Sequence, residues 1–444
     1  MNSPEKKWLL ILASKLGYQT RGFIAAAQRL GVEVLLGTDR CHQLDDPWND
    51  RAWPLAFEDP ESAAEEIVNR ARASAHAAGA PISAILALGD RAPLTAALAA
   101  QSLGLTYNTP ESVENCRSKL RQREVLAEAD VPVPGFFSFS LSDSPDEIAK
   151  RVNFPCVVKP LRLAASQGVI RANNAEEFRA AVARTRALIE SPEVQVTREP
   201  ELDRLLVEDY VPGAEVAVEG LIDRGHLRIL AIFDKPDPLE GPFFEETIYV
   251  TPSRLPAAAQ EELSACARRT ATALGLSHGP IHAEFRWNDK GPWVIECAPR
   301  PIGGLCARAL RFGEARIGLE ELLVRHALGM PGSDAQRESA ASAVMMIPVP
   351  ASGILDEVEG LDRARAVEHV DAIEITARLH DKVVAWPEGA SYLGFIFARA
   401  EKPEEAEAAL RAAHAELNFK LNPELPVENP ATGRLPARGI GEGN

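Results

Sequence analysis

Pro280-Ile-His-Ala-Glu284-Phe-Arg-Trp-Asn-Asp-Lys-Gly-Pro-Trp-Val-Ile-Glu296-Cys-Ala-Pro-Arg300-Pro-Ile-Gly-Gly304 reads as a β-hairpin that holds two acids and is followed by an arginine and two glycines. Successive side chains of a strand point to opposite faces, so Ile281, Ala283 and Phe285 share one face and His282, Glu284 and Arg286 the other. Val294, Glu296 and Ala298 form the expected matching face of the second strand. With a five-residue loop at 288–292, Glu284 lies across the ladder from Glu296. Two carboxylates side by side repel unless a cation joins them. Hard oxygens at that spacing suit Mg2+, which keeps several waters and takes one or two carboxylates from protein while sharing substrate phosphates. The alternative is a solvated hairpin with acids outside. Arg-Pro-Ile-Gly-Gly weighs against it, being poor at filling a core and well suited to an anion.

At 444 residues the chain is expected to hold two or three domains and needs no disulfide staples. Hydrophobic residues make 46% and charged residues 25%, ordinary for a globular protein, and no apolar run approaches the ~20 residues that cross a bilayer. The apolar run ending at Ala13 leads into Ser-Lys-Leu-Gly instead of a small-residue cleavage site, so it reads as a buried strand and not a signal. Cys41, Cys116, Cys156, Cys266, Cys297 and Cys306 are scattered without metal-ligand spacing, which points to a reducing cytoplasm. Against 64 Asp and Glu stand 48 Lys and Arg, a net charge of -16 that disfavours nucleic acid and anionic membranes as partners. Any phosphate must be met by a local basic pocket.

Trp8-Leu-Leu-Ile-Leu-Ala13, Val32-Glu-Val-Leu-Leu-Gly37 and Ile82-Ser-Ala-Ile-Leu-Ala-Leu88 alternate with helical patterns at 20–30 and 61–78, predicting a Rossmann-like β-α-β-α-β unit over residues 1–110. Ser14-Lys-Leu-Gly-Tyr18 replaces a glycine-rich fingerprint after the first strand, so this unit reads as a substrate wall and not a dinucleotide site. Asn108-Thr-Pro-Glu111 opens one helix carrying Arg117, Lys119, Arg121 and Arg123, ended by Val131-Pro-Val-Pro-Gly135. Strand and helix patterns then alternate through 154–210, giving a domain at 111–332 with a small α+β lid at about 132–206. Gly329-Met-Pro-Gly-Ser333 marks a second break before a separate α+β unit at 340–421. Residues 422–444 have little to bury and are expected to form a mobile tail. The fold class is thus α/β and α+β.

Pro155-Cys-Val-Val-Lys159-Pro160 is a buried strand ending in a lysine that can reach phosphate oxygens, followed by the small-residue loop Leu161-Arg-Leu-Ala-Ala-Ser166-Gln-Gly168-Val169. Backbone N–H groups of that loop, with the Ser166 hydroxyl, can close over the same oxygens. A solvated lysine and an ordinary loop are the plain alternative, and Lys119 has the same plain reading on an exposed helix. In Leu205-Leu-Val-Glu208-Asp-Tyr210-Val211-Pro-Gly-Ala-Glu215 the turn offers backbone to a base edge, and Glu215 can accept both hydroxyls of a ribose. Taken alone, this segment favours an ordinary hairpin. Glu246 in Pro242-Phe-Phe-Glu245-Glu246-Thr-Ile-Tyr249 is a candidate anchor for a substrate ammonium, or the exposed start of a strand. His282 can orient a carboxylate or be structural. Gly303 and Gly304 leave room for a substrate pocket, and Cys297 is predicted to face the core.

In order, Lys119, Val158-Lys159, Ala165-Ser-Gln-Gly168, Val207-Glu-Asp-Tyr-Val211 with Glu215, Glu284, and Glu296-x-x-Pro-Arg300 resemble the ATP-grasp carboxylate-amine ligases over residues 1 to about 330. The segment at 296–304 looks like the L-amino acid ligase branch, which makes dipeptides. So do Met345-Met-Ile-Pro-Val-Pro350, Ser352-Gly-Ile-Leu355, Glu374-Ile-Thr-Ala-Arg378 and Tyr392-Leu-Gly-Phe-Ile-Phe-Ala-Arg399. The resemblance implies an ATP-grasp fold with an N-terminal Rossmann-like domain and a C-terminal α+β domain. It implies that Lys119 and Lys159 bind ATP phosphates, Glu208, Tyr210 and Val211 hold adenine, Glu215 holds ribose, Glu284 and Glu296 bind Mg2+ (or Mn2+), and Arg300 stabilises an oxyanion. Most ATP-grasp enzymes have Asn where Ala298 stands; amino acid ligases tend to show a small residue there. The implied activity converts a carboxylate to an acyl phosphate and joins it to an amine, giving a dipeptide or amide with ADP and phosphate. Small molecules are the implied partners, and a homodimer is common in this type of ligase. The alternatives are another carboxylate-amine ligase, a bicarbonate-using relative, which the C-terminal motifs disfavour, and a non-catalytic ATP-binding regulator.

Overall fold

Trp8–Ala13 (β1), Glu33–Thr38 (β2), Ala52–Pro54 (β3) and Ile82–Leu88 (β4) form a parallel sheet in the order β3-β2-β1-β4. The interleaved helices are Tyr18–Arg29 (α1), Pro60–Ala78 (α2) and Ala92–Leu103 (α3). β1 is apolar on both faces because both are covered: Leu9 and Ile11 pack with Phe23, and Leu10 and Leu12 with Ile67 and Ala96. The structure, a computed structural model, describes residues 7–14, 18–39, 51–78 and 81–423. Cys41 and all but the first two positions of 422–444 lie outside them. Among the described residues no helix is long and apolar enough to cross a membrane.

The single helix expected after residue 108 is two, Pro110–Arg117 (α4) and Lys119–Glu128 (α5). Ser118 is extended, and its hydroxyl caps Arg121 N–H, so it ends one helix and starts the next. Lys119 thereby sits in a first turn, its own N–H donating to Leu161 O at 3.0 Å. The basic residues are not spread along one exposed face.

Phe136–Ser140 (β5), Cys156–Pro160 (β6), Ile170–Ala172 (β7) and Arg204–Asp209 (β8) form an antiparallel sheet in the order β5-β8-β6-β7. Pro145–Ala149 (α6), Ala175–Ile189 (α7) and Pro192–Gln195 (α8) accompany it. Phe178, Ala181 and Val182 of α7 close its core against Cys156, Val158, Leu205 and Val207.

The central sheet starts with Ala214–Asp223 (β9), His226–Lys235 (β10), Ile248–Thr251 (β11), Gly279–Asn288 (β12) and Gly291–Ala298 (β13), with Ala257–Ala273 (α9) against it. Beyond the small pair Arg311–Phe312 (β14) and Ile317–Gly318 (β15) comes Leu319–Ala327 (α10). Then follow Ala341–Ile347 (β16), Gly353–Glu359 (β17), Leu361–Arg365 (α11), Val370–Ile375 (β18), Lys382–Val383 (β19), Gly394–Ala400 (β20), Pro403–Ala415 (α12) and Asn418–Asn422 (β21). Among the described residues eight strands make one sheet, β13-β12-β9-β10-β11-β16-β20-β18. The strands β16, β20 and β18 of the C-terminal segment therefore extend the central sheet. β11 pairs with β16 along all four of its residues, and this joins the segment's strands to the central sheet.

The decisive hairpin is tighter than the five-residue loop implied. Asn288 faces Gly291, leaving a two-residue turn, and Ile295 is an extra residue between the partners of Phe285 and Glu284. That bulge restores the expected pairing of Glu284 with Glu296. It also puts Val294 opposite Phe285 in the core, not beside Glu296 as expected; Cys297 faces the core as read. Gly213, before β9, holds φ 124°, and a β-carbon there would lie 2.1 Å from Trp287 O. Gly213→Ala is expected to destabilise the fold by roughly 1–3 kcal/mol, read from the urea midpoint; an unchanged midpoint would refute this account of the turn.

Candidate active site

The lid sheet and the central sheet face each other across a cleft. Lys119, Lys159 and Ser166 line it from one side, with Val157 and Val169 supplying apolar wall. Tyr210, Val211 and Glu215 line the connection between β8 and β9, and Glu284 and Glu296 the floor. Lys119 Nζ donates to Leu163 O at 2.7 Å and lies 3.7 Å from Glu296.

Glu208 also reaches this cleft, yet its carboxylate is buried between two cations, Arg123 Nε at 2.7 Å and Lys159 Nζ at 2.6 Å. Burial raises the Glu208 pKa, but the two cations outweigh it and the net shift is downward. Lys159 is lowered by burial and by Arg123, with Glu208 opposing. The role implied for Glu208 at an adenine edge thus meets a side chain committed to an ion triad. Only its backbone neighbourhood is left for a base.

β9 brings the next carboxylate between two cross-strand cations. Glu215 is register partner to Lys235 on β10 and to Arg286 on β12, and its oxygens lie 2.9 Å from Lys235 Nζ and 3.0 Å from Arg286 Nε. Arg286 also donates to the Tyr210 hydroxyl at 3.1 Å and to Val211 O at 3.2 Å, tying strand to hinge. Lys235, its side chain only 2% exposed, pairs with Glu246 as well and stands 3.5 Å from Glu284. Glu246 accepts the Tyr249 hydroxyl at 2.7 Å. Burial and Glu284 push Glu246 up to about 7. Burial would raise Glu284 too, but Lys235 and His282 hold it well below the ordinary carboxylate range.

His282 pairs through Nδ1 with buried Glu219 and through Nε2, at 3.2 Å, with Glu284. It thus bridges a buried acid of β9 and a carboxylate of the cleft floor. Burial lowers its pKa, but the two carboxylates more than reverse this, taking it to about 9. Arg300 forks onto Asp90, Nε at 2.6 Å and Nη2 at 3.3 Å, and Nη1 donates to Pro301 O. Three of a guanidinium's five N–H groups are thus used and two remain.

Two expectations for the glycines change. Gly168 N–H donates to Pro387 O at 3.2 Å, so it serves the C-terminal segment and does not line the cleft. At Gly304, φ is 62° and a β-carbon would lie 2.9 Å from the Phe395 ring, so its smallness seats an aromatic ring. Of the neighbouring pair, Gly303 has open space around a virtual β-carbon. Sequence reading missed Lys235, Arg123 and Asp90. Asp90 had a usable signal: it follows β4, at the carboxyl end of a parallel strand, where open α/β sheets place their ligands. A wider groove of about 600 Å³ beside α7 includes Arg171 and Arg184, but both are already bonded, to Glu240 O and to Glu388.

Comparison with known proteins now bears on this arrangement. Residues 152–309 match a model described as ATP-grasp domain, and 345–422 one described as L-amino acid ligase C-terminal domain 2. The chain carries an ATP-grasp domain followed by an L-amino acid ligase C-terminal domain. The solved L-amino acid ligase from Bacillus licheniformis is 26% identical, with TM-score 0.77, covering 95% of this chain and all of that one (100%). An uncharacterized protein of Sinorhizobium fredii is 28% identical over 71% of this chain and 63% of its own length. The alanine–anticapsin ligase of Bacillus subtilis is 25% identical over 64% of this chain and 62% of its own. The chain thus spans just under two thirds of the length of these curated relatives.

In this ATP-grasp cleft, Glu215, Glu246 and Glu284 bring ligand oxygens within 4.8 Å of one another. Lys235 pairs with all three, so that cluster already has its cation. Glu284 with Glu296 fits a hydrated divalent ion better, since Glu296 is 34% exposed and, among the described residues, is approached by a cation only at 3.7 Å, by Lys119.

Two outcomes follow. Arg123→Met strips one cation from buried Glu208 and is expected to cost on the order of 3 kcal/mol, seen as a lower urea midpoint; no change would mean the triad is not stabilising. His282 is raised from 6.5 to about 9, so its contribution is complete below pH 6.5 and lost as pH rises through about 9. In chelator, the wild-type urea midpoint should fall over that range and the His282→Gln midpoint should fall less. Parallel profiles would contradict the pairing.

Proposed function

We propose that the chain activates the carboxylate of an amino acid or related acid as an acyl phosphate and joins it to an amine, most simply that of a second amino acid, releasing ADP and phosphate. The observation that carries this reading is the convergence on one cleft of two lysines and the Glu284 and Glu296 pair, with Arg300, which has two spare N–H groups, close enough to feel both carboxylates. Lys119 and Lys159 meet the phosphate oxygens, and Lys159 can do so while Arg123 keeps Glu208 neutralised. Val211 flanks the base, and Glu215, held rigid by Lys235 and Arg286, presents its remaining lone pairs to the ribose. Glu284 and Glu296 hold Mg2+, with Mn2+ as an alternative. When bound, that ion offsets the crowded charge of a triphosphate.

His282 keeps Glu284 ionised and oriented. Arg300, braced by Asp90, donates to the oxygen that gains charge as the amine attacks the acyl carbon. The amine loses a proton, the bond to phosphate breaks, and an amide remains. Glu246, beside Tyr249, is the proposed anchor of a substrate ammonium, with Gly303 leaving space nearby.

Purified protein with ATP, Mg2+ and pairwise amino acid mixtures should release ADP and phosphate and yield dipeptides identifiable by mass spectrometry. ATP binding without turnover across varied acids and amines would make the chain a regulator instead. Arg300→Gln is expected to slow amide formation on the order of 10²–10³-fold while ATP binding persists. Glu284→Gln should slow it at least about 100-fold and raise the Mg2+ requirement. If either variant, folded by circular dichroism, keeps wild-type rates, that residue leaves the site.

A further inference from the structure

The lid loop holds an unusual backbone. Ala165 and Ser166 both have φ 54° and Gly168 has φ 67°. Non-glycine residues in the left-handed region persist when their surroundings hold them there. Here the surroundings belong to the C-terminal segment between β19 and β20. Trp386 Nε1–H donates to Ala165 O at 3.2 Å, Gly168 N–H to Pro387 O at 3.2 Å, and Gln167 Nε2–H to Glu388 O at 2.9 Å. The Glu388 carboxylate takes a two-point grip from Arg184 on α7, at 2.5 and 3.0 Å. Four contacts thus fasten the loop and its following helix to one short stretch of chain.

The same stretch borders the proposed substrate pocket. The Trp386 ring is 8% exposed and stacks on Tyr392 at 4.9 Å, which in turn lies 6.3 Å from Phe395, the ring seated on Gly304. Tyr392 stands close enough to Glu246 and Glu284 to feel both carboxylates, after the larger effect of burial. One face of the indole therefore touches the aromatic wall beside the acids while its N–H caps the lid.

We propose that Trp386 is a positioning residue that couples the substrate pocket to the lid, with residues 386–388 latching loop 165–168 shut over the phosphates. This rests on the acyl phosphate reading above. With the latch in place, water is kept from the intermediate until the amine arrives. With it loosened, water attacks the acyl carbon, the bond to phosphate breaks, and the free carboxylate, phosphate and a proton result. ATP is then consumed without amide.

Trp386→Phe keeps the ring and removes the N–H, and Glu388→Gln weakens the grip of Arg184 at a site about half exposed, where folding is not at risk. Two readouts separate the latch from the chemistry. In free protein, amide hydrogen exchange across residues 161–170 should quicken several-fold, up to about tenfold for the lost N–H bond. With substrates, the ratio of ADP to amide should rise several-fold over wild type in both variants, while KM for ATP changes less than the ratio does. Unchanged exchange overturns the latch. Faster exchange with an unchanged ratio overturns the coupling. If wild type makes no amide with any acid and amine tried, the parent reading fails, and the exchange arm still judges the latch on its own.

Discussion

One ammonium makes the floor of this site possible. Lys235, at the end of β10 and almost wholly buried, pairs with Glu215, Glu246 and Glu284, which come from the start of β9, the approach to β11 and the middle of β12. Three carboxylates at such spacing would repel in a low-dielectric setting and would take up protons if left alone. The lysine helps hold Glu284 well below the ordinary carboxylate range, while Glu246, desolvated and facing Glu284, rises toward neutrality. The three acids thus differ chemically although their residue type is the same. Glu284 is also held by His282, which leaves it the oriented member.

The same logic repeats around the cleft: each functional charge is braced by a second group of opposite charge. Lys159 leans on Glu208, which leans on Arg123. Arg300 leans on Asp90, and His282 on Glu219, whose other oxygen accepts the Ile302 N–H at 3.2 Å. A brace fixes the rotamer of the group that faces the ligand, so less freedom is lost when the ligand arrives. Leaving the brace unpaired in the interior would be costly. The Ile302 bond extends this bracing into the segment carrying Gly303 and Gly304, so the position of that segment is set by an acid on β9.

How much of this could be read in the sequence depended on whether the partner was near in the chain. Alternation within β12 placed His282, Glu284 and Arg286 on one face correctly, and turn chemistry found the hairpin. The pairing of Glu284 with Glu296 was reached with the wrong loop, because a bulge at Ile295 compensates for a tighter turn and nothing local marks it. Lys235 was passed over: its partners lie on other strands, and their adjacency follows from sheet order, which periodicity does not reveal. Arg123 looked like one of several helical cations for the same reason, and Ser118, a good N-cap, was not read as a break. The basic residues of the lid were found because they punctuate apolar runs. The Gly and Pro near 330 marked the start of a C-terminal segment, but not that its strands extend the central sheet.

That boundary is a loop in the chain but not a border in the sheet. β16 continues the ladder from β11, and Glu246 lies just before β11, so the strand that presents a candidate substrate anchor is hydrogen-bonded to the C-terminal segment. β20 then sets Phe395 and Phe397 over the 3-10 turn at Cys306–Ala309, and Arg308 lies 4.6 Å over the Phe397 ring. A sheet transmits position well because its registers are discrete; a slip of one residue would turn every side chain to the wrong face. The aromatic wall is thus registered against the acids by backbone hydrogen bonds and not by a mobile interdomain contact. This is how the C-terminal segment can reach the lid with a fixed geometry: the loop carrying Trp386 ends on β20, a strand whose position the central sheet determines.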